Sequence, residues 1–272
     1  MTPTRTATPP VSTPTTGLGF SLRFYGNGAN DIDRVKIKLE APARPIDVDG
    51  NFTLEWLMKA LLVENGGDCG EGDDNWITGN VMFDRDVYGS GDIGDFGVAL
   101  CAGRVAFGVN RLGNGTGIRG ATVVTDGSWH HVAVTRNTTS GNVRIWVDGR
   151  LDGDGSGPTG GIGYRDGRST SWPNSDPYLV IGAEKHDAGA AYPSYSGWID
   201  EVRVTNVIRY TAAFTAPAPP FVTDANTVAL YHFDEGSGAT VTDASGAAGG
   251  PSTGALRFGG APAGPQWSSD VP

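Results

Sequence analysis

Lysine is almost missing from this chain: of its 20 basic residues, 16 are arginine and 4 are lysine. Charge of either sign is scarce too, at 18% of 272 residues against a usual ~25%. The 30 acids outnumber the bases and leave a formal net charge of −10. That balance excludes a protein built to grip a phosphate backbone, which needs a basic face. No apolar run approaches the ~20 residues of a membrane-spanning helix. Cysteine is limited to Cys69 and Cys101, 32 positions apart. Neither lies in C-x-x-C, so a zinc or dithiol redox site has no supporting spacing. H-E-x-x-H is absent, and none of the four lysines completes a P-loop.

Glycine is abundant instead, with 42 residues. Three windows satisfy G-x-G-x-x-G (from Gly89, Gly115 and Gly155), but at that glycine content such matches arise by chance. None opens a predicted helix, so none is a dinucleotide site. Period-2 alternation dominates. Val35, Ile37 and Leu39 share one face, as do Phe52, Leu54, Trp56 and Met58, and Val143, Ile145 and Val147. Further strands are expected at 20–25, 80–84, 95–101, 104–110, 121–125, 129–136, 178–182, 196–205, 227–234 and 255–258. Turn-forming residues such as Ala102-Gly103 and Asp148-Gly149 separate them. About thirteen strands with almost no helix predict an all-β, two-sheet antiparallel sandwich.

Residues 1–17 hold thirteen Thr, Pro, Ser or Ala. Such a stretch cannot bury enough apolar surface to offset its ordering entropy, and it is expected to be a disordered linker, like the stalks of secreted proteins. A secreted or cell-surface location follows as an expectation. In that setting a Cys69–Cys101 disulfide is favoured, with two buried free thiols as the alternative.

Four motifs then occur in order: Phe52-Thr-Leu-Glu-Trp56, Trp129-His-His-Val-Ala-Val-Thr135, Val143-Arg-Ile-Trp-Val-Asp-Gly149 and Gly197-Trp-Ile-Asp-Glu-Val-Arg-Val204. Together they resemble the laminin-G-like, concanavalin A-like jelly roll of bacterial extracellular proteins. The resemblance implies one domain over residues 18–272. Its segment Leu230-Tyr-His-Phe-Asp-Glu-Gly-Ser-Gly238 resembles the opening of such a domain, yet here it comes late. Residues 227–272 are therefore either closing strands in permuted order or the start of a second repeat. Relatives with this fold also hold a structural calcium, and carried over residue by residue that implicates Gly26, Asn27 and Asp200.

The fold hosts lectins, adhesion modules and glycanases alike. Glycanases of this fold take their carboxylates from E-x-D-x-E on one strand; the nearest approach here, Glu71-Gly-Asp73, has no second Glu and sits in a loop. A non-enzyme is the expectation. Sugar recognition needs flat rings for stacking and planar polar groups for hydroxyls. Trp76, Tyr88, Tyr164, Trp172, Tyr178, Tyr192 and Tyr195 lie in or beside predicted loops, and the polar run Asp84-Arg85-Asp86 follows a strand. The expected carbohydrate site is Trp76 and Trp172 with Asp84, Arg85 and Asp86, and its ligand a neutral polysaccharide. Trp146 is out of phase with its strand's apolar face, so it is either a binding platform or sheet cover. Adjacent His130 and His131 point to opposite strand faces and cannot share a metal. A protein-adhesion or structural surface module, with a protein partner, is the alternative; a diverged glycanase or lyase is the third.

Overall fold

The computed structural model describes residues 19–272 except 27–32, 41, 71, 73–74, 90–93, 165–170, 173 and 187. The predicted linker, residues 1–17, lies outside the described residues. The first strands are β1 (Ser21–Tyr25), β2 (Arg34–Lys38), β3 (Phe52–Leu61), β4 (Asn80–Asp84), β5 (Asp95–Cys101) and β6 (Arg104–Arg111). β7 (Asn114–Arg119), β8 (Asp126–Arg136), β9 (Asn142–Val147), β10 (Arg150–Ser156) and β11 (Tyr178–Ile181) follow. β12 (Ser196–Thr205), β13 (Thr227–Tyr231), β14 (Thr240–Val241), β15 (Gly254–Arg257) and β16 (Gln266–Ser268) complete the described set. Two single 3-10 turns, Leu62–Glu64 and Asn75–Thr78, are its only helical pieces.

The strands form two antiparallel sheets. One runs β10-β9-β8-β3-β12-β1-β16 with β13 also on β12; the other runs β14-β15-β2-β11-β4-β5-β6-β7. Alternation decides which side chains lie between them. On β2, Val35 and Ile37 are buried while Arg34, Lys36 and Lys38 face outward. Phe52, Leu54, Trp56 and Met58 of β3 enter the same core, where Trp56 meets Phe83 at 4.8 Å and Phe52 meets Phe96 at 5.0 Å. Each such burial stabilises the fold by roughly 1.5–3 kcal/mol relative to exposure.

Residues 227–268 contribute strands to both sheets. Val202 pairs with Tyr231, Val35 with Leu256, and Leu22 with Trp267. Cys69 and Cys101 are joined as a disulfide with Cα atoms 5.2 Å apart.

One strand expectation is corrected. Residues 121–125 form no strand: Asp152 takes Thr122 by amide and hydroxyl, and Val124 turns inward on the Gly103 carbonyl. The pairing runs instead through Asn114–Arg119, a glycine-rich stretch with no apolar alternation. Trp129 is only half-buried, against Leu57, Phe221 and Leu230. Trp146 is sheet cover: it is buried beneath Tyr210 and Phe214, which stack on each other with ring centres 3.5 Å apart.

Candidate functional site

Tyr178 opens β11, with Lys36 Nζ 4.2 Å from the centre of its ring, and the other six loop aromatics separate into two groups. Trp76, Tyr164 and Tyr195 are buried. Tyr88 (62% exposed), Trp172 (44% exposed) and Tyr192 converge on one depression of about 270 Å³, with Ile77, Asp86, Glu184 and His186 as its remaining walls. Two neighbouring strands position it. Asp86 and Tyr88 follow β4, while Glu184 and His186 follow β11, which pairs with β4 through Val180↔Asp84. After Ile181 the chain turns at Gly182, whose φ of +98° suits glycine. The turn brings Lys185 back to donate its amide to Asp84 Oδ2 at 2.8 Å.

His186 is the hub. Its Nε2 lies 2.6 Å from Asp176 Oδ1, and its Nδ1 lies 3.2 Å from Glu184 Oε1 and 3.4 Å from Asp86 Oδ2. The Trp172 ring stacks on the imidazole at 5.9 Å. Burial disfavours charge on the ring, yet hydrogen bonds to Asp176, Asp86 and Glu184 outweigh it and push His186 up to about 11. Burial would raise Asp86, but His186 and the Lys185 charge hold it below the usual carboxylate range. The depression thus offers an imidazolium, ionised acid and three rings, a set suited to hydroxyl-rich ligands with apolar faces.

Of the five residues expected to bind carbohydrate, only Asp86 and Trp172 line this depression. Trp76 is corrected: it is 2% exposed. Its indole lies flat over Gly97 and Gly108, paired across β5 and β6, where an added Cβ would come within 2.0 Å of the ring. Asp84 is corrected as well. It is fully buried, and its oxygens accept the amides of Asp86 and Lys185. Arg85 turns inward over Phe96 and donates to the carbonyls of Gly94 and Ile162. Alternation turns Arg85 inward and puts Asp84 and Asp86 on the same outer side, where the returning Lys185 covers Asp84 and Asp86 is left lining the depression.

A larger depression of about 610 Å³ lies beside the disulfide. Its groups are already engaged. Arg119 pairs with Asp68, Arg104 donates to the carbonyls of Ala102 and Ala121, and its only aromatic wall is buried Trp76.

The expected calcium ligands do not come together. Register pairs Leu22 with Ile199 and Tyr25 with Ser196, which sets Gly26 just beyond one end of β1 and Asp200 level with Ser21 at the other. At about 3.4 Å per residue that separates them by roughly 17 Å, too far for one ion. Asn27 lies outside the described residues. Asp200 is buried, and its own position explains its charge state: burial, then Glu201, then Asp234 push its carboxyl up to about 8. A folded value above the unfolded one means that its contribution is fully present below about pH 4 and is lost as pH rises towards 8. Asp200→Asn should therefore raise the melting temperature more at pH 8 than at pH 5. A variant that melts lower at pH 8, from a parent sensitive to EDTA, would show a cation on that carboxylate instead.

Residues 74–213 match the family described as the concanavalin A-like lectin/glucanases superfamily. A Bacteroides ovatus ATCC 8483 structure provisionally described as a carbohydrate binding protein aligns over 88% of this chain and 58% of its own. Its TM-score is 0.51 and its identity 17%. The mouse laminin α1 chain domains LG4-5 align over 75% of this chain and 47% of theirs, with TM-score 0.45 and 15% identity. Sushi, von Willebrand factor type A, EGF and pentraxin domain-containing protein 1 of Rattus norvegicus is 29% identical over 87 residues, 32% of this chain. The match spans only 2% of that relative's length.

Proposed function

The chain belongs to the concanavalin A-like lectin/glucanases superfamily, and from that premise we propose that it is a non-catalytic, extracellular glycan-binding module. The observation that carries this reading is the convergence of Tyr88, Trp172 and Tyr192 on one polar depression. Two of these rings stay largely open to solvent although burial would stabilise them. The disulfide supports an oxidising compartment. Retaining or inverting hydrolysis needs an accessible carboxylic acid held protonated near neutrality. Asp84, pushed up to about 7 by burial first and by Glu184 and Asp86 next, is closed off beneath the Lys185 amide. Asp86, at the open side, is held ionised.

The net charge of −10 and the acids of the depression disfavour polyanions, so the ligand is a neutral polysaccharide bound nearly independently of salt. Stacking plus a few wet hydrogen bonds gives an affinity of about micromolar to millimolar per site. Trp172→Ala and Tyr88→Ala should each weaken retention on a neutral polysaccharide gel by about 1 kcal/mol, several-fold, with the fold intact by circular dichroism. If both are retained as the parent is, or no neutral glycan retards the parent at millimolar concentration, the module binds a protein partner instead.

A further inference from the structure

His186 is placed as a metal ligand is placed. Its Nε2 faces the Asp176 carboxylate at 2.6 Å, the outer partner that metal-bound histidines recurrently have, fixing both ring orientation and tautomer. When an ion displaces the Nδ1 proton of the imidazolium and Nε2 keeps its own, the freed lone pair faces Glu184 Oε1 and Asp86 Oδ2, whose oxygens lie 3.2 Å and 3.4 Å from Nδ1. A tetrahedral ion with bonds of 2.0–2.1 Å has ligand–ligand edges of about 3.3–3.4 Å. All three ligand atoms lie within 4.8 Å of one another.

We propose that Asp86, Glu184 and His186 bind a first-row transition-metal dication, zinc in character, with Asp176 as the positioning residue behind the histidine and a fourth coordination position open to the depression. Two carboxylates balance the charge of the ion, and the nitrogen ligand sets its class. Calcium and magnesium take oxygen, whereas imidazole suits zinc, copper and nickel. The ligands are held before the metal arrives. Glu184 accepts the His186 amide at 2.8 Å and 2.9 Å, so its carboxylate is fixed against its own loop. Trp172 covers the ring face. The fourth position opens where the glycan reading puts a saccharide, so a hydroxyl or water completes the shell there. The metal site does not depend on that reading, because metal is measured without glycan.

The test is calorimetric titration of the full chain with Zn²⁺ alone, and with Co²⁺ followed by visible absorption. The expected result is one ion per chain, with a tetrahedral cobalt spectrum and no competition from a hundredfold excess of Ca²⁺ or Mg²⁺. Cobalt should also quench fluorescence in the parent more than in Trp172→Phe, while both bind it equally. Asp86→Asn and His186→Ala should each weaken zinc at least tenfold. Asp176→Asn should weaken it less and leave one cobalt bound. Should His186→Ala fail to fold, Glu184→Gln with Asp86→Asn replaces it. Stoichiometry well below one, an octahedral cobalt spectrum, or affinity unchanged by removing the ligands would overturn the proposal. Glycan retention that survives EDTA would leave the metal assignment to the titration and confine it to a role apart from sugar binding.

Discussion

Glu55→Ala should destabilise the fold by about 3–5 kcal/mol, the range for removing one partner of a buried ion pair. Glu55 is fully buried on the outer side of β3. Its oxygens accept from Arg203 Nε at 2.8 Å, from Tyr210 at 2.6 Å and meet His131 Nε2 at 3.1 Å. Residues 206–221 cross this face as a strap, and Tyr210, Phe214 and Phe221 all pack edge-on against the His131 ring. One carboxylate therefore ties β8, β12 and the strap to β3. With alanine there, the Arg203 guanidinium keeps the Val222 carbonyl but loses its counter-charge. Burial works against ionisation of Glu55, yet hydrogen bonds from His131 and Arg203, the Arg203 charge and the Tyr210 hydroxyl hold its carboxyl below the usual range. A depressed folded value means that its stabilisation is present above about pH 4.5 and is lost as pH falls through that lower value. Urea unfolding at pH 7 should show the full loss, and the difference from the parent should shrink as both are acidified. A loss under about 1 kcal/mol, or one independent of pH, would mean that the strap is held by its rings alone.

What the sequence made legible follows the sheet interiors. β2, β3 and β9 alternate cleanly because each has a neighbour on both sides and a core on one face. β7 and β10, by contrast, are the edges of their sheets. Asn-Gly-Thr-Gly-Ile-Arg and Arg-Leu-Asp-Gly-Asp-Gly-Ser read as turns because an edge strand bonds along one side only and packs little. The Phe52-to-Trp56 and Gly197-to-Val204 motifs that carried the family resemblance are neighbours in space, as β3 and β12.

The candidate site was half legible. Asp86 and Trp172 could be named because a polar residue past a strand end and an indole in a loop point to recognition from sequence alone. Glu184 and His186 could not. They meet Asp86 only because β11 pairs with β4 nearly a hundred residues away, a register that no local pattern encodes. Trp76 was misread for the same reason in reverse: its docking floor is a pair of glycines on adjacent strands, invisible until β5 and β6 are aligned. Asp84 and Arg85 looked exposed because acids and arginines usually are. The polar partners that make their burial tolerable come from the returning loop and from Gly94 and Ile162.

That same glycine floor makes the disulfide the second large contribution. Cys69 and Cys101 sit in a small cluster with Trp76, Val81, Ala99 and Ala106, apart from the main core. Nothing else covalent holds the segment before β4 against the outer face of β5. Tethering points 32 positions apart restricts the unfolded chain, and the loop-entropy relation assigns that about 4 kcal/mol. Replacing both cysteines with serine, or reducing the parent with dithiothreitol, should lower unfolding stability by roughly that amount. Thiol titration of the unfolded, unreduced parent should find no free cysteine. Loss of the tether should also loosen Trp76, which the bridge holds over Gly97 and Gly108, and its emission should shift to the red as water reaches the ring. Gly108→Ala separates the two effects. A Cβ there meets the indole at 2.0 Å, so this variant should displace Trp76 while the disulfide stays intact. If the double-serine protein keeps parental stability while Gly108→Ala loses it, the indole's docking, rather than the cross-link, holds this corner of the sandwich.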